Sequence, residues 1–145
     1  MGIEIRPLEA EDEPAWRRLW TGYLEFYGTS VTPEVYAETF RRILSPEVPE
    51  MGAFLAFADG PVGLTHYLFH RHFWKLEGIC YLQDLYVDPK ARVRGAGRAL
   101  IEAVYAEADR RGCPSVYWTT QEFNMPARHL YEHVGRLTPF IKYQR

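Results

Sequence analysis

The stretch Tyr81-Leu82-Gln83-Asp84-Leu85-Tyr86-Val87-Asp88-Pro89-Lys90-Ala91-Arg92-Val93-Arg94-Gly95-Ala96-Gly97-Arg98-Ala99-Leu100 carries a strand through a glycine turn into a helix. The run 79–87 reads as a strand and stops at Asp88-Pro89, where proline withholds a ladder donor. Ala99, Leu100, Ala103, Val104, Tyr105 and Ala108 then recur at helical spacing until Gly112 ends the helix. This order suits an anion. Unpaired N–H groups at a helix N-terminus carry partial positive charge, and glycines admit a pyrophosphate close to the main chain. Arg92, Arg94 and Arg98 add full charges. Alone, Gly95-Ala96-Gly97 is a tight turn with solvated arginines; its place between strand and helix favours the phosphate reading. Two other phosphate loops are excluded, because no lysine-serine pair follows the glycines and the third glycine of a dinucleotide fingerprint is absent.

Working outward, residues 3–6 alternate like a short strand. The acidic stretch 9–13 introduces Pro14 and a helical run through Trp16, Leu19, Trp20, Tyr23, Leu24 and Tyr27 that ends near Gly28. Thr32-Pro33-Glu34 has the form of an N-cap with proline at the first helical position, and a second helix follows until Pro46. Residues 53–58 and 62–69 read as two strands joined at Asp59-Gly60, with the run ending at Val87 expected as the central strand. Beyond Gly112 a strand over 115–120, a helix over 126–134 and a last strand over 140–143 complete a mixed α/β pattern.

With 145 residues and no repeat, linker or low-complexity segment, residues 1–145 read as a single domain. Seventeen basic against nineteen acidic side chains, with no dense Lys/Arg cluster, argue against nucleic acid as the main partner. The N-terminal stretch carries acidic residues and no apolar run of signal-peptide length, and no window approaches the ~18 apolar residues of a membrane span. The expectation is a cytoplasmic protein with no membrane partner. Cys80 and Cys113, without a CxxC, read as two buried free thiols.

The segment Arg92-Val93-Arg94-Gly95-Ala96-Gly97 resembles the Arg/Gln-x-x-Gly-x-Gly/Ala signature of the GNAT superfamily of N-acetyltransferases. Residues 118–135, with Asn124, Pro126, Ala127, Leu130, Tyr131 and Gly135, resemble that family's later strand-helix segment. Leu82-Gln83-Asp84-Leu85-Tyr86-Val87 is similar to the branch of diamine and polyamine acetyltransferases. The motifs cover about residues 80–135. The resemblance implies a mixed, mostly antiparallel sheet flanked by helices and splayed near Leu85 to Val87 to admit acetyl-CoA as cosubstrate.

Carried over residue by residue, the resemblance implies that main-chain groups of Leu85 and Val87, with Tyr86 between them, pair with the pantetheine arm. The loop of Arg92, Val93, Arg94, Gly95, Ala96 and Gly97, with Arg98, would hold the pyrophosphate, and Asn124 would contact the pantetheine region. Tyr131 would lie beside the thioester sulfur as proton donor to the departing thiolate, and the Val87 amide would face the developing oxyanion. An alkylammonium with a reference pKa of ~10.4 must first lose a proton. Here the chain departs from the family, which has a glutamate base where Gln83 stands; glutamine accepts no proton at neutral pH. Gln83 remains able to orient a water, leaving proton removal to Asp84 or to a solvent path. Strict alternation puts Gln83 and Asp84 on opposite faces, but this strand often carries a bulge in the family, so parity leaves the matter open. Asp84 reads equally as a strand-end hydrogen-bonding carboxylate. Val93 stands where many members have glycine, and a β-branched residue disfavours positive φ.

The remaining candidates take plainer readings. His66, His70 and His72 share strand parity and His129 and His133 are spaced i, i+4, but no third ligand accompanies either group, so no metal is expected. Tyr23, Glu25 and Tyr27 suit an amine pocket, although core on one face and solvent on the other explains them more simply. Aromatic content of 15% points to self-association as a homodimer. The expected activity is direct acetyl transfer to a primary amine of a small cationic metabolite: a polyamine, a diamine or an amino acid. Two rivals stand beside it: acetylation of a protein lysine or N-terminus, and a non-catalytic acetyl-CoA-binding module.

Overall fold

The computed structural model describes residues 2–91 and 93–145. A short strand β1 (Glu4–Pro7) precedes helix α1 (Glu13–Phe26), in which Trp16, Leu19, Trp20 and Leu24 fall at helical spacing on one buried face. Helix α2 (Pro33–Leu44) starts where the Thr32 hydroxyl accepts the Val35 N–H at 3.3 Å. Strands β2 (Met51–Phe57) and β3 (Pro61–His70) form a hairpin whose turn residues Asp59 and Gly60 have φ of 56° and 101°. Positive φ at both centres matches the right-handed twist of the flanking strands. Strand β4 (Ile79–Val87), helix α3 (Ala96–Arg110), strand β5 (Val116–Tyr117) and helix α4 (Met125–Val134) follow.

The sheet order is β1-β2-β3-β4-β5, antiparallel except for the parallel pair β4–β5, so β3 and not β4 is the middle strand. One face packs on α1 and α2 through Trp16, Leu19, Phe40, Leu55 and Leu64. The other packs on α3 and α4 through Tyr67, Cys80, Leu82, Ile101 and Val104, with Leu130 and Tyr131 against them.

Three further expectations are corrected. The strand over 115–120 is reduced to Val116–Tyr117, because Trp118 turns to pack against Tyr105 and Tyr131. The strand over 140–143 does not form: Phe140, Ile141 and Tyr143 are exposed and have no ladder partner, without which an extended segment lacks its main source of stability. Cys80 is a buried free thiol, but Cys113, just past the end of α3, is partly exposed. Among the described residues, no helix is long and apolar enough to cross a membrane.

Candidate active site

β4 pairs with β5 only through Cys80↔Val116 and Tyr81↔Tyr117. Among the described residues, the β5-side edge of β4 has no strand partner beyond Tyr81, which is the opening expected near Leu85 to Val87. The Asp88 N–H bonds Val62 O at 2.8 Å, toward β3. Polar main-chain groups of successive strand residues point to opposite edges, so those of Val87 and Leu85 face the open side. A cleft of about 1150 Å³ lies there, lined by Leu85, Tyr86, Val87, Gly97, Asn124 and Tyr131, with Tyr23, Glu25 and Tyr27 across it. Tyr23, Glu25 and Tyr27 thus face the resemblance-derived set across the cleft, with Tyr23 packed against the core and Glu25 and Tyr27 exposed, as core on one face and solvent on the other requires.

Gly95 caps α3 in the left-handed region, φ 84°. The first intrahelical bond runs from the Ala99 N–H to Gly95 O at 2.9 Å, leaving the N–H groups of Ala96, Gly97 and Arg98 without an intrahelical acceptor. A Cβ on Gly97 would stand 3.3 Å from Leu130 and 3.9 Å from Val87, so turn, strand end and α4 converge at this glycine. Arg94 is exposed beside the turn, and Arg98 is exposed and paired with Glu102 at 2.8 Å. This donor set fits a pyrophosphate. Val93 and Arg94 line a neighbouring depression of about 690 Å³ that shares Asp88 and Lys90 with the cleft. Arg92 lies outside the described residues.

The register between β3 and β4 shifts at His66/Tyr67: His66 pairs with Asp84 and Tyr67 with Leu82, leaving Gln83 as the extra residue of a bulge. Strict alternation would have kept Asp84 on the face of Leu82, against α3. The bulge turns it toward α1, where it is 6% exposed and where Oδ2 accepts from Trp20 Nε1 at 3.2 Å and lies 2.8 Å from His66 Nδ1. Trp16 Nε1 donates to His66 Nε2 at 2.8 Å. Gln83 is left exposed. Trp16, Trp20 and His66 are the Asp84 partners that sequence reasoning missed; the i, i+4 tryptophans are visible in the sequence and a bulge is allowed for there, but its position, which delivers Asp84 to them, is not.

Tyr23 and Tyr27 border this carboxylate from the cleft side. Burial, reinforced by the Asp84 charge, raises the proton affinity of both hydroxyls above the ordinary tyrosine value. Tyr131 is half-buried against Trp118, and burial pushes its hydroxyl up to about 12, so it holds its proton at neutral pH. Asn124 is the N-cap of α4, its Oδ1 accepting the Ala127 N–H at 3.4 Å while its amide N–H groups stay available to a ligand. Among the described residues, no group of three His, Cys, Asp or Glu side chains is arranged to hold a metal.

The sequence profile of the Acetyltransferase (GNAT) family matches residues 14–135. The chain belongs to this family. As a GNAT N-acetyltransferase it takes acetyl-CoA as cosubstrate. It is 43% identical to the D-amino-acid N-acetyltransferase HPA3 of Saccharomyces cerevisiae, over 99% of this chain and 90% of that protein. It is 35% identical to the thialysine N-epsilon-acetyltransferase of Bos taurus over 53% of this chain and 46% of that protein, which supports the polyamine-type branch. The GNAT fold recurs in the aminoglycoside acetyltransferase AAC(6')-Iy, solved with a CoA bisubstrate analogue, at TM-score 0.87 and 19% identity over 100% of this chain and 98% of that one.

Proposed function

We propose that this GNAT enzyme transfers acetyl directly from acetyl-CoA to the primary amine of a small cationic metabolite. The observation that carries the reading is the buried Asp84 carboxylate beside a cleft walled by Tyr23 and Tyr27. A carboxylate flanked by aromatic rings suits an alkylammonium. Of the three acceptor classes, polyamine, diamine and amino acid, the 43% identity to a D-amino-acid N-acetyltransferase favours the amino acid.

In this reading the N–H groups of Ala96, Gly97 and Arg98, with the Arg94 and Arg98 side chains and Val93 and Gly95 shaping the turn, hold the pyrophosphate of acetyl-CoA. Leu85, Tyr86 and Val87 present the open strand edge to the pantetheine arm, and Asn124 adds its amide. Acetyl-CoA supplies the activated acetyl group. Asp84 receives the proton of the bound ammonium, and Gln83, exposed beside it, orients a water. Tyr131 protonates the departing sulfur, and the Val87 N–H stabilises the charge that develops on the acetyl oxygen. The proposal includes a cytoplasmic location and a homodimer. Support for the dimer comes from the exposed Leu137, Phe140, Ile141 and Tyr143, a tail of strand-like composition with no strand partner among the described residues; the proposed occupant is a second copy.

The test is thiol release from acetyl-CoA against polyamines, amino acids, aminoglycosides and lysine peptides. Turnover confined to small amines supports the reading. Turnover confined to peptides would transfer it to the protein-acetylating rival, and sedimentation of the same sample reports the oligomer.

A further inference from the structure

We infer that His66 is a positioning residue that ties one oxygen of Asp84 and leaves the other to the amine. The inference rests on the reading of Asp84 as the group that takes the amine's proton.

An indole N–H only donates, so the Trp16 contact at 2.8 Å requires a lone pair on His66 Nε2. The proton of the neutral ring then sits on Nδ1, 2.8 Å from Asp84 Oδ2. A second proton on His66 would break the bond from Trp16. His66 is therefore a fixed donor. Trp20 donates to the same Oδ2 at 3.2 Å, and the Thr65 hydroxyl holds the Asp84 carbonyl at 2.8 Å, fixing the backbone at the bulge. Trp20 also stands edge-on to the imidazole, centroids 5.2 Å apart, which limits rotation of the ring.

His66 and Trp20 both donate to Oδ2, while the Tyr23 hydroxyl approaches the carboxylate from the cleft side as a further hydrogen-bonding neighbour. Because no buried polar side-chain atom among the described residues lacks a partner, Oδ1 meets either solvent or the Tyr23 hydroxyl at the cleft wall. Here both buried N–H donors sit on Oδ2, and no indole or imidazole N–H of the described residues reaches Oδ1. The titratable groups facing the carboxylate are His66 from β3 and Tyr23 and Tyr27 from the α1 side. An ammonium entering from the cleft meets Oδ1: its N–H bond breaks, the proton goes to Oδ1, and nitrogen keeps the electron pair with which it attacks.

The test is kcat/KM for the amine as a function of pH, with KM for acetyl-CoA and the thermal midpoint as controls of fold. In His66→Leu we expect a loss on the order of tenfold at neutral pH. The acid limb of the profile moves to higher pH, because an N–H donated to a carboxylate favours its charged form. KM for acetyl-CoA stays unchanged. His66→Asn carries an amide N–H where Nδ1–H was and recovers most of the loss. A folded His66→Leu with a wild-type profile, or His66→Asn no better than His66→Leu, overturns the inference. Should His66→Leu not fold, Trp16→Phe decides: it keeps the ring but removes the donor that fixes its tautomer, so kcat/KM for the amine falls several-fold at constant KM for acetyl-CoA, and an unchanged kcat/KM is again fatal. Asp84→Asn separates the two levels. Full activity there removes the proton-acceptor reading itself, whereas loss there beside unchanged His66 and Trp16 variants removes only the positioning role.

Discussion

Trp118 meets Tyr131 nearly edge to face, ring centroids 5.5 Å apart at 67°, and this contact seats the Tyr131 ring between the end of β5 and the cleft. Tyr131→Phe keeps the contact and removes only the hydroxyl. If the hydroxyl protonates the departing sulfur, kcat falls on the order of 10²-fold while the thermal midpoint barely moves. Burial holds this hydroxyl at about 12. The acid must be protonated to act, so wild-type kcat should show no descending limb between about pH 7 and about pH 10. Steady-state kinetics over that range checks both statements, and an undiminished Tyr131→Phe would remove the acid role.

The turn into α3 depends on Gly95, whose φ of 84° suits no β-carbon. Gly95→Ala strains the cap by roughly 1–2 kcal/mol whatever the space around it. The expected result is a thermal midpoint lower by a few degrees and a raised KM for acetyl-CoA, with kcat for the bound complex nearly unchanged. A raised amine KM with acetyl-CoA KM constant would show that this turn does not hold the cosubstrate.

The order of elements was legible in the sequence because its signals are local: Pro14 and Pro33 at helix starts, Asp59-Gly60 between two strands, Gly95 before α3. The glycine turn and Tyr131 were legible for the same reason, each lying inside a short motif. What the sequence leaves open depends on pairing across the sheet. The bulge at Gln83 is a relation between β3 and β4, and it alone decides that Asp84 faces Trp20 of α1. The tail over 140–143 has a strand's composition and no neighbour to pair with, a condition that a period-two pattern does not encode.

Gly22 of α1 and Tyr86 of β4 are in close apposition on the cleft wall. A Cβ on Gly22 would come to 2.5 Å from the Tyr86 hydroxyl oxygen and 2.8 Å from Cζ. Gly22→Val therefore displaces the Tyr86 ring, and the room available to it lies in the cleft. KM for the amine should rise several-fold with a smaller effect on the thermal midpoint. Unchanged amine kinetics in a folded Gly22→Val would place amine binding elsewhere in the cleft.

Far from the cleft, Arg6 of β1 grips Asp12 through both carboxylate oxygens, at 2.8 and 2.9 Å, and the Glu9 N–H adds a third bond at 2.8 Å. The Arg6 hydrogen bonds, partly opposed by burial, hold the Asp12 carboxyl below its ordinary value. A carboxyl depressed in the folded state stabilises the fold above its unfolded-state value, and that stabilisation is lost as pH falls through the folded-state value. Asp12→Asn should cost on the order of 1–3 kcal/mol at neutral pH, the range for hydrogen bonds to charged groups. The difference from wild type should narrow progressively below about pH 4. Urea unfolding of both proteins from neutral to acid pH measures it. A gap that stays constant across that range would assign the cost of the substitution to packing at the start of α1 and not to the charge held by Arg6.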